Sequence, residues 1–279
     1  MRRITFIFLL IFNFGFSQTE DKDQLKSIFD KALTDGKAYD WLNHLSNQIG
    51  GRLSGSVQAQ QAVDYTKAEL EKLGLDRVWL QPVMVPKWVR GLPEHAYIVS
   101  GNDDTINVPI CALGGSVATP ALGIKANVIE VQGIEDLEKL GRKKIEGKIV
   151  FYNRPMDPRQ IRTFNAYGGA VDQRVNGASQ AARYGAVATL VRSMTTRHDD
   201  VPHTGVTVNK EGVRKIPSVA ISTNASNQLS ALLQKEKVKI YIRTTCETLD
   251  DVSSFNVIGE IRGSEKPEEI ILVGGHLDS

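Results

Sequence analysis

His276 and Asp278 stand two residues apart in the stretch IILVGGHLDS. Side chains two apart on an extended segment share a face. A neutral imidazole is a good zinc ligand. A carboxylate beside it fixes the imidazole tautomer or orients metal-associated water. Residues 270–273 are apolar and read as a core strand, so the pair is expected just past a strand's carboxyl end, where open α/β sheets bind ligands and metals. Gly274 and Gly275 let the backbone turn tightly there. By itself a His-x-Asp pair is more often a surface ion pair or a turn, and one metal takes three or four ligands.

The other four histidines do not complete a site by spacing. His44 lies in a helical apolar run and His95 precedes a strand. His198 and His203 share the loop TTRHDDVPHTG with Asp199 and Asp200, which reads either as a metal or substrate loop or as a solvated polar loop. Other chemistries are poorly served. Ser54 in GGRLSGS lacks the glycine spacing of a nucleophile elbow and reads as a turn. No Walker loop and no GxGxxG occur, and neither Cys111 nor Cys246 belongs to a CxxC pair.

The elements that would carry these residues follow from periodicity. Leu25, Ile28, Phe29 and Leu33 have helical spacing, as do Trp41, Leu42, Leu45 and Ile49, a run closed by Gly50 and Gly51. Ser56 caps a third helix with Ala59, Ala62, Val63, Thr66, Leu70 and Leu73 on its inner face and Gly74 at its end. RVWLQPVMVP, interrupted at Pro82, and HAYIVSG then read as strands. From about residue 103 to 250, the strands KIVFYN, AVATLVRS, IPSVAIS and VKIYIRT alternate with helices over residues 177–184 and 225–235, the pattern of a small α/β unit. FNVIGEIRG and IILVGGHLDS resume strands around the polar turn RGSEKPEE.

The expected organisation is therefore interrupted. Residues 1–17 are a signal peptide, with basic Arg2 and Arg3, an apolar run and cleavage after Ser17. Residues 18–102 open an outer domain, 103–250 form an inserted unit, and 251–279 restart the outer domain. An insertion has its entry and exit close together, so a Cys111–Cys246 disulfide is conceivable; two buried thiols are the alternative. The apolar run at the amino end is too short to span a bilayer, which points to a secreted or periplasmic protein without a stable membrane span. The net charge is +2, and removal of Arg2 and Arg3 brings it near zero, which argues against a nucleic-acid partner.

Taken together, YDWLNHLSNQIGGRLSGS, YNRP, NGASQAARYGAVATLVRS, PHTG, KIPSVAIS, SFNVIGEIRGSE and ILVGGHLDS resemble the secreted di-zinc exopeptidases of the carboxypeptidase Q type, from about Asp40 onward. The resemblance implies a zinc-exopeptidase (aminopeptidase-like) α/β sandwich, incomplete here, with an inserted α/β protease-associated domain. It implies two zinc ions and hydrolysis of short peptides or dipeptides. His276 takes the place of a zinc ligand and Asp278 that of the supporting catalytic carboxylate. The family's remaining ligands and its general-base glutamate lie further downstream, so the expectation is that these residues are the amino-terminal part of a longer enzyme. The inserted domain is a candidate to cover the cleft or to mediate a homodimer. The alternative reading is a non-catalytic peptide- or protein-binding fragment built around that domain.

Overall fold

The computed structural model describes residues 21–101 and 104–279. The expected signal peptide, residues 1–17, lies outside the described residues. Helix α1 (residues 21–34) forms where the periodicity places it, and its stripe of Leu25, Ile28, Phe29 and Leu33 is exposed. Helix α2 (Ala38–Asn43) runs into a π-helical turn, His44–Ile49, which ends at Gly50 with φ of 83°. The sequence places one helix here. Its end is as expected, but its second half is wound more widely. Helix α3 (Val57–Glu71) is capped by the Ser56 side chain, which accepts from the Ala59 amide at 3.0 Å. Its Ala59, Ala62 and Val63 are buried.

Strands β1 (Arg77–Val89) and β10 (Glu247–Glu260) form a long antiparallel ribbon, from Arg77 opposite Glu260 to Val89 opposite Glu247. Pro82 does not interrupt β1 but pairs opposite Phe255; the register shift falls later, between Val85 and Lys87. Among the described residues the ribbon has two strands, which leaves one edge of β1 unpaired, where a missing amide donor is tolerated.

Between the two strands of the ribbon the chain builds an eight-stranded sheet. Its strands are β2 (His95–Val99), β3 (Thr105–Asn107), β4 (Ile110–Ala112), β5 (Ile124–Val131), β6 (Ile149–Tyr152), β7 (Ala188–Arg192), β8 (Ser218–Ile221) and β9 (Lys239–Arg243). The order is β3-β2-β9-β5-β6-β7-β8-β4, with β5 to β8 parallel and the remaining pairs antiparallel. Helices α4 (Glu135–Ile145), α5 (Thr163–Gly168), α6 (Val171–Val175), α7 (Gly177–Arg183) and α8 (Thr223–Leu233) lie between strands. All four residues of β6 are buried. Ile149 and Phe151 join one core with Leu190, Leu229 and Ile240; Val150 and Tyr152 join the other with Leu137, Ala178 and Ala181. Central parallel strands covered on both faces read as unbroken apolar runs, which is why KIVFY shows no alternation.

Cys111 on β4 and Cys246 after β9 are free thiols. Arg90 Nη1 donates to Cys111 Sγ at 2.9 Å, and Cys246 Sγ donates to the Ser116 carbonyl at 3.3 Å. Burial pushes both thiols above their ordinary pKa.

The reading of residues 270–273 as a buried strand is corrected. They pair with no strand, their side chains are 87–92% exposed, and RGSEKPEE closes no hairpin. An apolar run becomes a strand only when a neighbour takes its amides and covers its faces, and no described strand lies along this one. Among the described residues, no helix is long and apolar enough to cross a membrane.

Candidate functional site

Two short segments meet at the site, residues 45–52 and 276–279. Gly50 adopts a left-handed conformation that turns the chain sharply out of the π-helical turn. Two residues on, Arg52 is tucked inside with 9% of its surface exposed. Its amide donates to the Ser279 carbonyl at 2.9 Å, and the Ser279 amide donates back to the Arg52 carbonyl at 3.0 Å. Arg52 Nε donates to the Leu277 carbonyl at 2.9 Å, while Nη1 donates to the carbonyls of Leu45 at 2.6 Å and Gly50 at 2.7 Å.

His276 and Asp278 flank the residue that Arg52 grips. Their side chains meet, with His276 Nδ1 3.1 Å from Asp278 Oδ1, and they are 92% and 51% exposed. The same-face expectation for this spacing therefore holds geometrically. A neutral imidazole that donates from Nδ1 to a carboxylate keeps its lone pair on Nε2, which has no hydrogen-bond partner among the described residues. That tautomer suits metal ligation. Among the described residues, no group of three or more His, Cys, Asp and Glu side chains is placed to hold a metal. The pair thus fits as part of a zinc donor set and does not complete one.

The other candidates lie apart. His44 stacks on Tyr65, with ring centroids 4.0 Å apart, and so helps fasten the π-helical turn to α3. Trp41 Nε1 reinforces that junction by donating to Glu69 Oε2 at 3.1 Å. His95, the first residue of β2, packs among Tyr97 and Tyr241. In the loop with His198 and His203, the His203 amide donates to Ser193 Oγ at 2.8 Å. Asp199 pairs with Arg197 and accepts from the Val201 amide. Ser54 sits in the turn before α3. Arg52 was not singled out from sequence. The available signal was a basic residue directly after a glycine helix stop, where cations complement the last carbonyls.

No protein-family model matches the chain. Carboxypeptidase Q of Xenopus laevis is 37% identical over 262 residues, and that of Homo sapiens 35% over 261; each alignment covers 92% of this chain and 53% of the relative. The chain therefore spans about half the length of the curated relatives it matches. A peptidase M28 precursor from Shewanella amazonensis superposes with a TM-score of 0.88 at 36% identity, over 94% of this chain and 58% of that one. A zinc aminopeptidase from Bacillus subtilis shares the fold at a TM-score of 0.51 and 19% identity, over 82% of this chain and 47% of that one.

Fold and alignment together define the class: a mixed α/β chain of the M28, zinc-aminopeptidase-like fold. Over the part that it spans, the chain is a homologue of the carboxypeptidase Q proteins.

Proposed function

We propose that a protein carrying this chain is a zinc-dependent exopeptidase that hydrolyses terminal peptide bonds of short peptides or dipeptides. The observation that carries this reading is the His276–Asp278 pair, held on a fixed backbone with Nε2 unengaged, in a chain related to carboxypeptidase Q. His276 holds one of two zinc ions through Nε2. Asp278 holds the imidazole in that tautomer and keeps it from swinging away. When bound, zinc supplies Lewis acidity to the scissile carbonyl and makes water a usable nucleophile near neutral pH. The remaining ligands and the general base are assigned to the part of the fold, present in the longer relatives, that this chain does not span. The product acts outside the cytoplasm after removal of residues 1–17.

The test uses the full-length gene product. Its peptidase activity is expected to vanish on chelation and to return with zinc, and His276→Ala is expected to lose both bound zinc and turnover. Turnover that survives metal removal sinks the reading. A second reading has its own support: the eight-stranded sheet has two cores of its own, whereas among the described residues no group of three or more donors is placed to hold a metal. On that reading the 279-residue chain alone binds peptide or protein without hydrolysing it.

A further inference from the structure

We propose that Arg52 is a positioning residue for the His276–Asp278 pair, a role that rests on the assignment of that pair to the zinc site. Arg52 is largely buried, yet among the described residues no carboxylate forms an ion pair with its guanidinium. Its Nε and Nη1 donors go to three backbone carbonyls. A buried polar donor is tolerated only when it is satisfied, so those carbonyls are held where Nε and Nη1 need them.

Two of the carbonyls, from Leu45 and Gly50, belong to the end of the π-helical turn, where the backbone dipoles favour a cation. The third belongs to Leu277, the residue between the proposed ligand and its supporting carboxylate. Fixing the Leu277 carbonyl fixes the peptide plane from which Asp278 leaves the backbone, next to His276. The reciprocal pair between Arg52 and Ser279 repeats the constraint two residues on, along the same edge of the segment. With both Leu277 and Ser279 held by Arg52, the backbone of Asp278 between them is fixed, and His276 leaves the chain directly before the clamp.

The anchor on the other side is firm. The π-helical turn is fastened to α3 by the His44–Tyr65 stack and the Trp41–Glu69 hydrogen bond. Position thus passes from α3 through the turn to Arg52, then to Leu277 and the site. Lysine cannot substitute, because a single ammonium lacks the rigid fork that spans two chain segments from Nε and Nη1. Gly51 and Arg52 leave the turn and enter the site in two steps, so the guanidinium reaches both segments without a long loop.

The experiment uses the full-length, zinc-loaded enzyme and its Arg52→Lys, Arg52→Gln and His276→Ala variants. Zinc affinity is measured by competition with a chromophoric chelator, folding by circular dichroism, and turnover as separate kcat and KM. Arg52→Lys is expected to stay folded, to bind zinc about 10- to 100-fold more weakly, as loss of a ligand-orienting partner does elsewhere, and to lose kcat with KM unchanged. Folded Arg52→Lys with wild-type zinc affinity and kcat overturns the proposal. So does a variant that melts earlier but binds zinc normally, since that is a purely structural role. If Arg52→Gln fails to fold, Arg52→Lys decides. His276→Ala separates the two ideas: should it keep all its zinc, the site assignment itself fails. Should it lose zinc while Arg52→Lys does not, only the positioning role fails.

Discussion

The hydrogen bond from His276 Nδ1 to Asp278 sets what the imidazole can do. With that proton committed, Nε2 is a lone pair looking for a cation, and the side chain's exposure leaves it reachable. Asp278 needs no metal contact of its own to matter. Replacing it with alanine frees the ring to rotate and to take the other tautomer. Asp278→Ala is expected to lower zinc affinity or kcat of the full-length enzyme about 10- to 100-fold, read by chelator competition and steady-state kinetics. Values unchanged from wild type would show that the contact does not orient the ligand. The two thiols are a contrast at the same scale. Cys111, half-buried, and Cys246, buried, are pushed toward the neutral form and bonded to their surroundings, and so are built as packing groups.

At the scale of elements, close approach decides where α7 can sit. Gly177 starts this helix directly over the Tyr152 ring, and a Cβ there would come within 2.7 Å of Cε2. The Tyr152 hydroxyl donates to the Gly177 carbonyl at 2.8 Å, so the ring cannot simply swing aside. Burial raises the Tyr152 pKa far above the ordinary phenol value, which keeps that donor protonated. Gly177→Ala is expected to destabilise the eight-stranded sheet unit by about 1–3 kcal/mol through overpacking. Denaturant unfolding checks this, and a midpoint equal to that of the wild type would mean the helix can slide away. The π-helical turn is the other element whose geometry matters. Its wider winding presents the Leu45 carbonyl to both the Gly50 amide and Arg52.

The molecule as a whole divides its stability unevenly. The eight-stranded sheet has apolar cores on both faces, while α1 and residues 270–273 present apolar side chains to solvent. Local opening follows such differences in burial. In hydrogen exchange of the 279-residue chain, the amides of β5 to β8 are expected to be strongly protected, and those of α1 and residues 270–273 to exchange at once. The same preparation should show no dipeptidase activity, because two donor side chains do not hold a catalytic zinc. Metal-dependent turnover by this chain alone would contradict that.

The sequence by itself determined the local elements. Four apolar runs of the sheet, the Ser56 cap and the glycine stops at Gly50 and Gly74 were all legible, because each depends on neighbours within a few residues. The pairing of His276 with Asp278 was legible for the same reason, since extended backbone alone aligns their side chains. Only the tertiary structure decided that β2 joins β9 and β3, that β1 runs straight through Pro82, and that residues 270–273 stay unpaired. Arg52 belongs with these. Its partner Leu277 is 225 residues away, and nothing in local periodicity reports which distant carbonyl a buried guanidinium will find. Propensity is a property of short segments, whereas strand edges and buried charges are settled by whatever the rest of the chain brings beside them.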